Sequence, residues 1–267
     1  MRRSEARKYI ERAGYMFKKV APESSKTIIK SFAERLFLRA GHQKFARLRF
    51  EILKTLRVFH IYQPIPWLGF DEAIRGEDTE ARWHAIEAEI EALDMNGSAI
   101  DLGSQLGYFC LRLAERDWVC MAVEREERTH RAAQLISMAT GIAGVTYRNL
   151  EITPDNVNKL PTVDVTIFLS VWHHICAAHG LASAKSLLRQ VFHQTNKICF
   201  FETGQSNEPY TPGTDWVHEI PEMEPNPTEW IEQLLRECGA TEVKRLGEFN
   251  TPHLSSTPRT LFAAVMG

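Results

Sequence analysis

No stretch of this sequence reaches the roughly 18 consecutive apolar residues that a bilayer-crossing helix needs, so no membrane span is expected. The basic start, Met1-Arg2-Arg3-Ser4-Glu5, is not followed by the apolar core of a secretory signal. Cysteine is sparse, five in 267 residues, and Cys110, Cys120, Cys176, Cys199 and Cys238 form no CxxC pair. That spacing argues against a structural zinc site and a disulfide framework. It fits buried thiols in a reducing cytoplasm, with peripheral attachment at an inner membrane face left open. No HExxH-like spacing occurs, so no metal is expected; a site assembled from His173, His174, His179 and Glu202 is the alternative. The third glycine of a dinucleotide fingerprint is missing as well.

Net charge is small, −2, but unevenly spread. Residues 1–60 hold 16 Lys/Arg against 5 Asp/Glu, a net of +11, which leaves −13 on the remainder. Phe45, Leu48, Ile52, Leu56 and Phe59, and before them Ile28, Phe32 and Leu36, recur at three- and four-residue steps, with Lys44, Arg47, Lys54 and Arg57 between. These are amphipathic helices with cationic outer faces. They serve either as a helical cap on the main domain or as a surface for an anionic membrane or phosphate-bearing polymer. No nucleic-acid-binding motif accompanies the charge. We therefore divide the chain into a basic extension, 1–60, and a main domain, 61–267.

The main domain opens with a Pro- and Gly-bearing loop over 61–76, whose aromatics either pack on the domain or line a pocket mouth. A helix is expected from Glu77 to Leu93. Strands follow at 98–102, 118–123, 144–149, 163–169 and 197–202, with helices between them at 107–116, 127–140, 153–159 and 181–194. Thr153-Pro154 supplies a capping hydroxyl and a first-turn proline, and Asn226-Pro227-Thr228-Glu229 a cap with a reaching acid. Two last strands, 240–246 and 259–265, flank Gly247 to Pro258. Alternating βα units closed by a strand pair predict a doubly wound, seven-stranded, mostly parallel α/β sheet of Rossmann-like type, which binds ligands at its C-terminal strand ends.

What lies at those ends is informative. The first strand runs into Asp101-Leu102-Gly103-Ser104-Gln105-Leu106-Gly107, a tight turn into a helix whose N–H groups face a ligand. The second ends in Glu124, with Arg125 beside it, at the distance expected of an acid that accepts from a ribose diol. The third leads to Glu151-Ile152, where a carboxylate can take an adenine amino group and the next N–H a ring nitrogen. The fourth ends in Ser170-Val171-Trp172-His173-His174, the fifth in Glu202. A nucleoside cofactor with a charged tail at Asp101 and the glycine turn explains the set together. His173 and His174 are candidate bases for a hydroxyl acceptor, or positioning groups for an acceptor already anionic. Glu202 is a second base candidate or a structural acid. Tyr210, Trp216, His218 and Trp230 lie in or near a long insertion, 203–230, that is either a lid over a saccharide or simple aromatic packing.

The order Asp101-Leu102-Gly103…Gly107, Glu124, Glu151-Ile152 and Val163-Asp164-Val165…Ser170-Val171-Trp172-His173-His174-Ile175 resembles the class I S-adenosylmethionine-dependent methyltransferases. Ser104 and Gln105 stand where the commonest pattern has its middle glycine. Ile61-Tyr62-Gln63-Pro64-Ile65, Arg82 with Ile86, Leu169 to Ile175, Leu246-Gly247-Glu248-Phe249-Asn250 and Thr257-Pro258-Arg259 are similar to the methyltransferase domain of the polymannosyl O-antigen chain terminators (WbdD-like proteins). The resemblance covers roughly residues 60–265. It implies S-adenosyl-L-methionine as cofactor. It implies that Tyr62, Gln63 and Arg82 cross back over that cofactor, Arg82 pairing with its methionine carboxylate, with Asp101, Gly103, Ser104, Gly107, Glu124, Arg125, Glu151, Ile152 and Ser170 around it. The acceptor expected is a glycan, glycan phosphate or related small molecule. Those terminators carry a kinase after the methyltransferase, and no kinase motif is found here. An RNA-modifying methyltransferase, a catalytically silent binding subunit and a nicotinamide-dependent enzyme are the rival readings.

Overall fold

The computed structural model describes residues 46–57, 61–69, 73–208, 220, 223, 225–251 and 255–267. The expected helical pattern at Ile28, Phe32, Leu36 and Phe45, the loop residue Phe70, and Tyr210, Trp216 and His218 of the insertion lie outside them. The chain divides into Met1–Glu51 and Ile52–Gly267, and the site belongs to the second unit. In chain order the elements are helices α1 (Ala46–Leu56) and α2 (Gly76–Ala92), strand β1 (Ser98–Leu102), α3 (Tyr108–Ala114), β2 (Val119–Glu124), α4 (Glu127–Thr140), β3 (Val145–Asn149), β4 (Val163–Leu169), α5 (Trp172–His179), α6 (Leu181–His193), β5 (Thr195–Glu202), α7 (Pro227–Cys238), β6 (Glu242–Thr251) and β7 (Ser255–Val265). No helix among the described residues is long and apolar enough to cross a membrane.

The strands form one seven-stranded sheet in the order β3-β2-β1-β4-β5-β7-β6. β1 to β5 are parallel, and β7 runs antiparallel between β5 and β6. This is the doubly wound fold with a terminal strand pair. Strand order reverses between β1 and β4, the point at which doubly wound sheets bind ligands at the C-terminal strand ends.

Alternation along each strand sends residues to two cores. Ile100, Leu102 and Phe168 meet Trp172, Leu187, Leu188, Ile231 and Leu235 of α5, α6 and α7 on one face. Ala99, Val165 and Ile167 meet Trp83, Ile86, Tyr108, Phe109 and Leu113 of α2 and α3 on the other. All five cysteines are buried, and none forms a disulfide.

Four local expectations are corrected. The segment 153–159 is not an α-helix: only Val157–Lys159 forms a single 3-10 turn, because the Asn156 side chain accepts from Thr153 N at 2.9 Å and closes a turn instead. The residues after β4, for which no helix was expected, start α5 at Trp172. Asn226 precedes α7 without a side-chain capping bond, and Pro227 alone fixes its first turn. Gly247 to Thr251 continue β6, and β7 begins at Ser255, so most of the expected 247–258 connection is paired strand.

Candidate active site

β1 is buried along its length and delivers Asp101 into the interior at its end. The chain then turns through Gly103 and Gly107, both at positive φ (+85° and +80°), with Gln105 also left-handed at +53°. Gly103 N and Ser104 N donate to Val123 O, each at 2.9 Å, which fastens the turn to the end of β2. A Cβ at Gly103 would overlap Val171 Cγ2, so the turn and the segment after β4 fit only because residue 103 has no side chain.

Glu124, at the end of β2, faces this turn. One carboxylate oxygen accepts from Gln105 N at 3.0 Å, the other from Glu126 N at 2.8 Å. Among the described residues, Asp101 Oδ2, Ser104 Oγ and Gln105 Oε1 are buried around the same turn without a hydrogen-bond partner. Burial, reinforced by the charge of Glu124, pushes the Asp101 carboxyl up to about 8. At pH 7 it is a neutral acid beside a charged one. Unpaired buried polar atoms are costly, and their convergence on a glycine turn fits a site that binds a polar ligand.

Gln63, in the loop before α2, reaches the turn, with Tyr62 next to it in sequence. Gln63 Oε1 accepts from Leu106 N at 3.1 Å, so this loop crosses the helix entry. Tyr62 is held by Arg75, whose Nη1 donates to its hydroxyl at 3.1 Å. Arg125 and Glu151 pair with each other at 3.1 Å on the exposed side, and Ile152 is buried next to them in sequence.

Arg82 and Glu202 bond to each other, a pairing that the sequence did not announce. Arg82 Nε donates to Glu202 Oε2 at 2.6 Å, and both side chains are buried. Its Nη1 meets Asp78 Oδ2 at 3.1 Å. The guanidinium is thus bonded to the protein's own acids rather than turned out toward a ligand carboxylate. Glu202 also accepts from Ser170 Oγ at 2.7 Å. Burial alone would raise its carboxyl, but Arg82 and Arg259 outweigh that and hold it below the usual range. An acid held ionised by two guanidiniums, and fully buried, is a poor proton acceptor; Glu202 here is a structural anchor.

Ser170 itself sits at φ +59°, unusual for a residue with a side chain. Its N donates to Glu202 O at 2.8 Å, and its Oγ accepts from Arg259 Nη1 at 3.2 Å. Arg259 forms a two-pronged pair with Glu208, at 2.7 and 2.9 Å, wholly buried. Arg75, Asp78 and Glu208 were not identified as site residues from the sequence, and for Ser170, which was, the bonds to Glu202 and Arg259 were not foreseen. The one available signal was Arg75, Asp78 and Arg82 at helical spacing across the start of α2.

His173 is buried and His174 exposed, their ring centroids 4.2 Å apart. Both are held below the ordinary imidazole value, first by desolvation and then by neighbouring cations. Among the described residues no three His, Cys, Asp or Glu side chains are grouped to hold a metal ion.

No family model matches the chain. It is 26% identical over 174 residues to the O-antigen chain terminator bifunctional methyltransferase/kinase WbdD of Escherichia coli, a match covering 62% of this chain and 21% of WbdD. The chain thus spans about a fifth of that relative's length. A crystal structure of WbdD superposes with a TM-score of 0.65 at 24% identity, over 80% of this chain and 45% of that one. Magnesium protoporphyrin IX methyltransferase (ChlM) from Synechocystis PCC 6803, solved with bound SAH, superposes with a TM-score of 0.51 at 16% identity, over 91% of this chain and all of that one. The parallel sheet, its antiparallel terminal pair and the acid–glycine turn at the point where strand order reverses are those of a class I methyltransferase fold, and in sequence the chain is related to WbdD.

Proposed function

We propose that this protein transfers a methyl group from S-adenosyl-L-methionine to an oxygen of a glycan, glycan phosphate or related small acceptor, with residues 61–267 as the methyltransferase domain. The observation that carries the reading is the convergence of Glu124, Asp101, Ser104 and Gln105 on the Gly103–Gly107 turn, three of them with buried atoms lacking a partner. The acceptor class is argued from kinship with WbdD, whose name describes an O-antigen chain terminator. The +11 extension would supply a surface for an anionic partner or membrane.

When bound, the cofactor supplies a methyl group activated on a sulfonium. The chain's own contribution is to bind, align and exclude water. Glu124 holds the ribose hydroxyls while its bonds to Gln105 N and Glu126 N keep the carboxylate aimed. Asp101, neutral at pH 7, offers a hydrogen-bond donor where an ionised acid could only accept. Glu151 and Ile152 flank the adenine. Tyr62 and Gln63 close the site from the helix-entry side. Ser170, Val171 and the two histidines carry the acceptor end.

Calorimetry with S-adenosylhomocysteine, then transfer of labelled methyl to panels of glycans and RNAs, tests this. Glu124→Ala should weaken binding about 10- to 150-fold, the worth of ~1.5–3 kcal/mol for a hydrogen bond to a charged group. Absence of binding by the native protein rejects the methyltransferase reading in favour of a silent binding subunit. Label found only in RNA rejects the glycan acceptor.

A further inference from the structure

The two adjacent histidines after β4 have different chemical capacities. Gly204 N donates to His173 Nδ1 at 2.9 Å. A backbone N–H can only donate, so that ring nitrogen carries no proton. Thr203 Oγ1 lies 3.2 Å from the same atom. His173 is buried, and desolvation together with Arg259 and His174 disfavours its cation. A neutral imidazole with Nδ1 accepting must hold its single proton on Nε2. Neither nitrogen is then able to take up another without breaking the bond to Gly204.

That bond is itself braced. Glu208 Oε1 accepts from Gln205 N at 2.9 Å, and Arg259 grips the same carboxylate while its remaining arm reaches Ser170 Oγ. One guanidinium therefore fixes both the loop that crosses His173 and the residue from which the His173–His174 segment departs. His174, next in sequence and in the first turn of α5, is exposed. The groups that act on it are Arg125 after β2 and Arg259 of β7, both cationic, and the neutral ring of His173. With desolvation they keep it unprotonated at neutral pH, with a lone pair available.

We infer that His174 is the proton acceptor for a hydroxyl substrate and that His173 is a positioning residue locked as its Nε2–H tautomer. This rests on the methyltransferase reading above. The acceptor's O–H proton passes to the unprotonated ring nitrogen of His174 as the O–CH3 bond forms. The methyl–sulfur bond breaks with its electron pair left on sulfur, and the positive charge moves from sulfonium to imidazolium. The imidazolium then releases its proton to water.

Nitrogen-15 NMR on the full chain labelled at histidine, assigned with His173→Gln and His174→Gln, tests the division. His173 should show the Nε2–H tautomer without titrating from pH 5.5 to 8, and His174 should titrate below 6.5. His174→Gln should bind S-adenosylhomocysteine within threefold of native protein, yet lower kcat for glycan hydroxyls by ~10²–10⁴. An Nδ1–H or titrating His173, a His174→Gln kcat within threefold of native, or transfer confined to phosphate-bearing acceptors overturns the inference. Failure of native protein to bind S-adenosylhomocysteine instead sinks the methyltransferase reading, while an Nδ1–H His173 in protein that binds it sinks this inference alone.

Discussion

Replacing Gly103 by alanine adds one methyl group at the point where the cofactor turn meets the segment after β4. Two costs arise. The residue sits at φ +85°, where a Cβ meets the following carbonyl, for ~1–2 kcal/mol. The new methyl also overlaps Val171 Cγ2, with Val171 Cβ 3.6 Å away. Valine is stiff about its first torsion and cannot swing clear, so relief must come from backbone movement, costing ~1–3 kcal/mol as in other overpacked sites. The expected loss is about 2–5 kcal/mol, a large part of the ~5–15 kcal/mol that holds a domain folded. The second mutation separates the two costs. Val171→Ala alone removes two half-buried methyl groups, for about 1 kcal/mol. In the double variant the overlap disappears and only the backbone strain remains, so it should be about 1–3 kcal/mol more stable than the sum of the singles. Urea denaturation of the four proteins measures this, and S-adenosylhomocysteine calorimetry should show affinity lost in Gly103→Ala and partly regained in the double. Additivity within ~0.5 kcal/mol would mean that the turn and the Ser170–Val171 segment are not in contact, and the account of a shared site would be wrong.

Two further outcomes follow from the buried charges. In the folded state Asp101 keeps its proton up to about pH 8, whereas the unfolded chain releases it near the ordinary aspartate value of 3.8. The native state then binds more protons between those limits, so stability falls as pH rises through that window, with a slope approaching ~1.4 kcal/mol per unit; Asp101→Asn should remove this component from denaturation curves taken at pH 5, 6, 7 and 8, and an unchanged slope refutes the assignment. Glu202→Gln removes the more deeply buried of Arg82's two acidic partners, leaving Asp78, and should cost at the lower end of ~3–5 kcal/mol, read by chemical denaturation; a loss below ~1 kcal/mol would show that the pair with Glu202 is not buried.

The strands were readable where burial imposes a pattern. Val163 to Leu169, apolar except at Asp164 and Thr166, starts and ends where expected, as does the 98–102 strand, because both are central and mostly buried. α4 was readable over 127–140 from its periodicity, and Glu126 caps it through Thr129 N at 2.7 Å. α5 was hidden because no glycine or proline separates it from β4; the break is made by Ser170 in a left-handed conformation that composition does not announce. Within the site, the acids at strand ends were legible from the strand-end rule. The ion pairs were not: Arg82 and Glu202 are 120 residues apart, and Arg259 is 51 from Glu208 and 89 from Ser170. Spacing carries no information on partners brought together only by sheet order.

Those distant pairs tie Arg82 to the protein's own acids. Around the ends of β4 and β5, three guanidiniums (Arg75, Arg82, Arg259) meet three carboxylates (Asp78, Glu202, Glu208), each bonded within the group. Charges balanced in this way contribute little net field at the strand ends, and buried pairs add little stability over an apolar replacement. What they do fix is direction. Guanidinium forks are planar, and a carboxylate bonded at both oxygens cannot rotate. Through Glu202 and Arg259 they set the backbone at Ser170, and through Glu208 the loop bearing Gly204 N–H, and so the orientation of the His173 ring. On the other side of these strand ends, neutral Asp101 and charged Glu124 do the converse, presenting one donor and one acceptor toward the glycine turn. One side of these strand ends thus spends its charges on geometry, while the other leaves buried polar atoms of Asp101, Ser104 and Gln105 without a partner, a division that suits the methyltransferase reading proposed above.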